Sequence, residues 1–206
     1  MTTNDRARIR ELMDAYADDF ERALRLEGPF KSEGRTLLER TEKILSYLRR
    51  LGGQRLLDVG CGPGVVAAKI GRELGLKVDA IDFSQKQVAK ARRLVKAEKA
   101  NVRVLHDDIM SPSPHSGLDL GGYDIVLCKD VIAIYTTQGK KAFLAELAKY
   151  VKPGGHLVMS VLSEEKGLSL HGEAWDTYRQ MVKEVTKKEP YIERLDEEAL
   201  LIDVTV

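Results

Sequence analysis

The stretch LLDVGCGPG (56–64) reads as a short apolar strand running into a glycine-rich turn, and the amphipathic segment behind it reads as a helix. Glycines at such a turn let the backbone approach a ligand closely, while the helix N-terminus offers amide groups that have no partner within the helix. Two ligands compete for a turn of this kind. A dinucleotide turn has the spacing G-x-G-x-x-G and seats a diphosphate. Here Gly60, Gly62 and Gly64 give G-x-G-x-G, with Val65 where the last glycine would stand.

Outward from this turn, short apolar runs alternate with amphipathic stretches. RLLDVG (55–60), VDAIDF (78–83), VRVLHD (102–107), YDIVLC (123–128) and HLVMSV (156–161) read as strands. Several are apolar on both faces, which suits a parallel sheet covered by helices on both sides. One helix runs from about Gly64 to Leu74, with Gly75 as its stop. The next opens at Ser84 in SQKQ, a capping-box spacing in which Gln87 reaches back, and it turns Val88, Ala91, Leu94 and Val95 inward. The segment 110–122 is too rich in Pro, Gly and Ser for a helix. A further helix begins near Thr137, carries Phe143, Leu144, Leu147 and Val151, and ends at Pro153-Gly154-Gly155. The pattern predicts an α/β fold with a doubly wound, mostly parallel sheet.

Two helices precede the sheet. The first, within residues 4–26, carries Ile9, Leu12, Met13, Tyr16, Phe20 and Leu24 as one buried stripe. LEGPFKSEG (26–34) breaks it at Gly28, Pro29 and Gly34, and the second helix carries Leu37, Leu38, Thr41, Ile44, Leu45 and Leu48 before Gly52-Gly53. Beyond the fifth strand lie a helix with Ala174, Tyr178, Met181, Val182 and Val185 and a strand at 200–206, with YIERL (191–195) as a possible partner strand.

With these elements in place, the run Asp58-Val59-Gly60-Cys61-Gly62-Pro63-Gly64 resembles the first motif of class I S-adenosylmethionine-dependent methyltransferases, and the likeness extends over about residues 54–162. It implies a Rossmann-like sheet with an N-terminal helical lid (1–53) over a methyltransferase domain (54–206), together one compact unit. S-adenosylmethionine is then the cofactor and S-adenosylhomocysteine the product. Gly60, Gly62 and Gly64 form the turn, and Asp58 serves the ammonium of the donor. Asp82, 18 positions after Gly64, takes both ribose hydroxyls, and Phe83 packs on adenine. Asp108 and the N–H of Ile109 contact adenine, with Asp107 the alternative carboxylate, and Lys129 is counted with the donor site. The end of the fourth strand faces the acceptor, so Asp130 or Tyr135 is the candidate catalytic group for an acceptor that must lose a proton. The same nucleoside pocket also suits a non-methyl transferase or a noncatalytic S-adenosylmethionine-binding module.

Composition narrows the partners. Hydrophobic residues at 43% and charged residues at 32% describe a globular chain. Lys and Arg number 33 against 32 Asp and Glu, so no strong field holds a polyanion and a small-molecule substrate is expected, with no nucleic acid. The basic helix face Lys86, Lys90, Arg93 and Lys96 reads as solvated. Cys-Lys-Asp-Val follows the fourth strand in place of the [DNS]-P-P-[YFW] of enzymes that methylate adenine amino groups, which disfavours that chemistry. No apolar run reaches the roughly 20 residues of a membrane span. A cytoplasmic monomer or homodimer is expected, its Cys61 and Cys128 reduced. His106, His115, His156 and His171 lack ligand spacing, so no metal is expected.

Overall fold

The computed structural model describes residues 3–24, 27, 31–162 and 175–206. Gly28, Pro29, His171, Ala174 and the side chains of Phe20 and Leu24, all named above, lie outside the described residues. The helices α1 (Thr3–Leu24) and α2 (Lys31–Leu51) lead into β1 (Arg55–Val59). Then come α3 (Val65–Lys69, continued by a π-helical turn Ile70–Leu74), β2 (Lys77–Asp82), α4 (Gln85–Ala97), β3 (Val102–His106) and β4 (Tyr123–Lys129). A 3-10 turn (Ile132–Ile134) precedes α5 (Thr137–Ala148), β5 (Val151–Leu162), α6 (Trp175–Thr186), β6 (Tyr191–Arg194) and β7 (Ala199–Thr205).

Among the described residues the sheet has seven strands in the order β3-β2-β1-β4-β5-β7-β6. The first five are parallel, and β7 enters antiparallel between β5 and β6, so YIERL does supply the last strand. Successive residues of one strand serve opposite layers. Leu57, Val126 and Leu157 pack with Phe143 and Leu147 of α5 and with Tyr178 and Met181 of α6. Leu56, Ile125 and Val158 pack with Ile44, Leu45 and Leu48 of α2 and with Val88 and Ala91 of α4. This double burial is why the strands are apolar on both faces. None of the described helices is long and apolar enough to cross a membrane.

No helix follows β3, and polar chemistry closes the gap. Asp79 of β2 is buried on the uncovered side and takes hydrogen bonds from the Tyr123 hydroxyl (2.7 Å) and from Arg103 Nε (2.7 Å). Arg103 also donates to the carbonyl of Gly117 (2.9 Å), tying the long loop to the sheet. Burial pushes the Asp79 carboxyl up, but Arg103 and Tyr123 hold it below the ordinary carboxylate range.

Local expectations are corrected in four places. Gly34 lies inside α2, where a Cβ would stand 1.8 Å from the carbonyl oxygen of Ala23; it permits the α1–α2 crossing instead of breaking a helix. Pro153-Gly154-Gly155 belongs to β5, because α5 has already ended and Val151 pairs with Tyr123. Ile125 next opposes His156, so Lys152–Gly155 bulge outward opposite Asp124 alone, and Gly154, at φ 77°, sends its N–H to Val206 (2.7 Å). Tyr16 is 46% exposed, while Ile9, Ala17 and Ala23 are buried. Lys90 is buried too, paired with Asp18 (2.6 Å) and Glu21 of α1, while Lys86, Arg93 and Lys96 of the same basic face are exposed as expected.

Candidate donor and acceptor site

The C-terminal ends of β1, β2, β3 and β4 meet at one edge, where the strand order reverses beside β1, and open α/β sheets take their ligands at such a point. β1 delivers Asp58 there, 2% exposed, with Oδ2 lacking a hydrogen-bond partner among the described residues. Burial pushes its pKa up to about 7; Lys129 opposes that and Asp82 adds to it. A buried carboxylate oxygen with no donor is costly unless a ligand supplies one.

The turn that follows has left-handed backbone at Gly60 (φ 74°), Gly62 (φ 54°) and Gly64 (φ 83°). A Cβ on Gly60 would stand 2.3 Å from Val131 Cγ2, and one on Gly64 would stand 2.8 Å from the Cβ of Ala91. The first glycine therefore lets the end of β4 close over the turn, and the third lets α3 pack on α4. The N–H groups of Gly60 (2.8 Å) and Cys61 (3.1 Å) reach the carbonyl of Ile81, which fixes the turn to the end of β2. Cys61 is buried, and burial raises its thiol pKa well above the ordinary value, so it packs.

Asp82 ends β2 next to this turn. Its Oδ2 accepts from Gly62 N–H (2.9 Å) and its Oδ1 from Ser84 N–H (2.8 Å). Burial raises its pKa, with those two amides opposing. The Ser84 N–H is thus committed to Asp82 and does not meet Gln87, whose Oε1 is buried without a hydrogen-bond partner among the described residues. Half of the expected capping box forms, through Gln87 N–H to Ser84 Oγ (3.2 Å).

After β3, Asp107 is absorbed by its own loop, accepting from the N–H groups of Asp108 (2.9 Å) and Ser113 (2.9 Å). Asp108 accepts from Met110 N–H (2.9 Å), and Ile109 is buried. Phe83 is half-buried, with the Arg10 guanidinium of α1 5.8 Å from its ring centre. An N-terminal lid was expected, but not this contact: Arg10 carried no signal beyond a polar helix face.

At the end of β4, Lys129 pairs with Asp130, whose backbone is left-handed (φ 58°) and whose carboxylate takes the Ser160 hydroxyl (2.5 Å). The Asp130 N–H in turn donates to Ser160 Oγ (3.1 Å). Burial raises the Asp130 carboxyl, but Lys129 and Ser160 bring it below the ordinary range. Ser160 is a second group that the sequence did not single out. Tyr135 is buried and stacks on Phe143 with ring centres 4.5 Å apart. Fold and strand-end carboxylates match what the resemblance to class I S-adenosylmethionine-dependent methyltransferases implies, and the residues present fit that cofactor: a buried carboxylate oxygen without a hydrogen-bond partner among the described residues lies beside a glycine turn and a second carboxylate.

Comparison with known proteins agrees. Residues 56–155, just under half of the chain, match the family described as methyltransferase domain. A ubiquinone biosynthesis O-methyltransferase of Sodalis glossinidius is 32% identical over 138 residues, 67% of this chain and 53% of that protein. The chain thus spans about half the length of the curated relatives it matches. The fold is shared with magnesium protoporphyrin IX methyltransferase from Synechocystis PCC 6803, solved with bound SAM (TM-score 0.78, 18% identity, 99% of this chain and 98% of that one). It is also shared with 1,6-didemethyltoxoflavin-N1-methyltransferase of Burkholderia thailandensis (TM-score 0.75, 13% identity, 100% and 90%).

Proposed function

We propose that the chain transfers the methyl group of S-adenosylmethionine to a small-molecule nucleophile, with residues 54–206 as the catalytic unit and residues 1–53 as a lid. The observation that carries this reading is the buried, unpartnered Oδ2 of Asp58 next to the glycine turn and Asp82. Asp58 receives the donor's ammonium, and Lys129, which lies near enough to lower the Asp58 pKa, faces the donor's carboxylate. Each oxygen of Asp82 holds one backbone amide and keeps a lone pair for a ribose hydroxyl. Asp108, Ile109 N–H and Phe83 line the adenine end, while Asp107 shapes their loop.

The bound donor supplies an electrophilic methyl on a cationic sulfur, with a neutral thioether as leaving group. What the protein adds is position and exclusion of water. Asp130, held ionised by Lys129 and Ser160, is a weak proton acceptor at neutral pH and works as a fixed anion that orients Lys129. Tyr135 forms the aromatic wall on the acceptor side. The names of the curated relatives favour a hydroxyl oxygen as acceptor. Calorimetric titration with S-adenosylmethionine and S-adenosylhomocysteine, followed by a screen of hydroxyl-bearing ring compounds with a labelled donor methyl, tests the reading. Binding with label transferred to an acceptor is expected. Failure of both nucleosides to bind, or a thioether product that retains the methyl, overturns it.

A further inference from the structure

The polar stripe of α1 faces α4 in register. Arg10 lies over Phe83, Asp14 accepts from the Ser84 hydroxyl and from Lys86 N–H (3.3 Å), and Asp18 and Glu21 pair with Lys90. These residues follow the three- and four-residue spacing of one helix face. Asp14 is the informative member. By accepting the hydrogen bond of the Ser84 hydroxyl it leaves the Ser84 oxygen as acceptor for Gln87 N–H, the N-cap of α4. Ser84 N–H in turn holds Oδ1 of Asp82, and Asp14 is near enough to Asp82 for its charge to be felt there. A chain Asp14–Ser84–Asp82 therefore links the N-terminal helix to the carboxylate next to the glycine turn.

We propose that Asp14 is a positioning residue of the donor site, fixing Ser84 and through it the orientation of Asp82 toward the ribose diol. The inference rests on the donor-site reading above. Asp14 touches no reacting atom; it sets how well Asp82 presents its lone pairs, so its effect falls on donor affinity and is selective for ligands that carry both ribose hydroxyls.

The test compares wild type, Asp14→Ala and Asp14→Asn, the last retaining an oxygen that accepts from Ser84 and Lys86. The full chain is titrated with S-adenosylhomocysteine, and adenosine and 2′,3′-dideoxyadenosine are compared as competitors. Asp14→Ala is expected to weaken S-adenosylhomocysteine roughly tenfold, the size of one lost hydrogen bond to a charged group. The preference for adenosine over the dideoxy compound collapses, and Asp14→Asn restores most of both. In turnover the donor KM rises with kcat at saturating donor unchanged. In a Ser84→Ala background the Asp14→Ala effect disappears. If Asp14→Ala loses affinity equally for both competitors, or only melts lower with affinity intact, Asp14 is a docking contact and the inference fails while the donor site stands. If wild type binds neither S-adenosylmethionine nor S-adenosylhomocysteine, the donor-site reading itself fails and takes this one with it.

Discussion

Asp58 shows how one side chain couples burial to ligand choice. Its carboxyl has an ordinary pKa of 3.8 and stands at about 7 in the fold, chiefly because burial disfavours the charged form. Between those two pH values the folded chain holds a proton that the unfolded chain has released, so stability falls as pH rises through this window, by on the order of 4 kcal/mol at most. Below pH 3.8 the penalty is absent, and above about pH 7 it is fully present. Asp58→Asn removes it: from pH 4 to pH 7 the variant gains thermal stability relative to wild type, read as the difference between their melting temperatures. On the proposed function, donor binding has the opposite dependence, because the donor's ammonium would pair with the ionised carboxylate. Affinity for S-adenosylhomocysteine therefore rises with pH up to about 7, with proton release detectable by calorimetry in buffers of different ionisation enthalpy. No pH slope in affinity on passing that window would place the ammonium elsewhere.

Among elements, two contacts decide how pieces of secondary structure meet. The crossing of α1 and α2 depends on Gly34, whose missing Cβ leaves room for a backbone carbonyl at 1.8 Å, and a main-chain atom does not move aside as a flexible side-chain end does. Gly34→Ala is expected to lever α1 away at a cost of about 1–3 kcal/mol, seen as faster proteolysis within the first 27 residues. Beside β3, which no helix follows, Tyr123→Phe removes one of the donors on Asp79 while Arg103 remains. Loss of about 1–3 kcal/mol on denaturant unfolding is expected, since a buried carboxylate is left short of a partner. A neutral outcome would mean that water fills the place of the hydroxyl.

In the whole molecule, the contacts of α1 with the start of α4 are charged and polar. They set Arg10, Asp14, Asp18 and Glu21 against Phe83, Ser84, Lys86 and Lys90, and Tyr16, expected in an apolar seam, faces solvent. Partly exposed ion pairs are screened by salt, whereas apolar packing is not. Raising ionic strength from 0.05 to 0.5 M, about a threefold shortening of the screening length, is expected to speed proteolysis of α1 in wild type. In Lys90→Met α1 is cleaved faster even at low salt, and added salt changes it less. Equal salt response in the two proteins would assign the docking to the buried residues Ile9, Ala17 and Ala23 instead.

The order of elements, the parallel sheet and the carboxylates at its edge were legible in the chain, because each depends on periodicity or short spacing: apolar runs buried on two faces, three glycines two apart, acids at strand ends. The three glycines do take left-handed backbone, and Asp58 and Asp82 do meet at one edge. Contacts made across distance were not legible. Gly34 looked like a helix breaker because its partner, the Ala23 carbonyl, enters only through the crossing of two helices. Lys90 looked solvated because the acids that bury it lie about 70 positions earlier. Asp107 stood as the alternative to Asp108 for adenine, and the folded loop commits it to the amides of Asp108 and Ser113, while Asp108 takes the N–H of Met110. Local pattern thus determined most of the backbone this chain adopts, since apolar period and turn residues are set by near neighbours; tertiary packing decided the exceptions at Gly34 and Pro153-Gly154-Gly155 and which side chains are left unpaired at the ligand end, since hydrogen-bond and ion-pair partners are distributed by proximity in space.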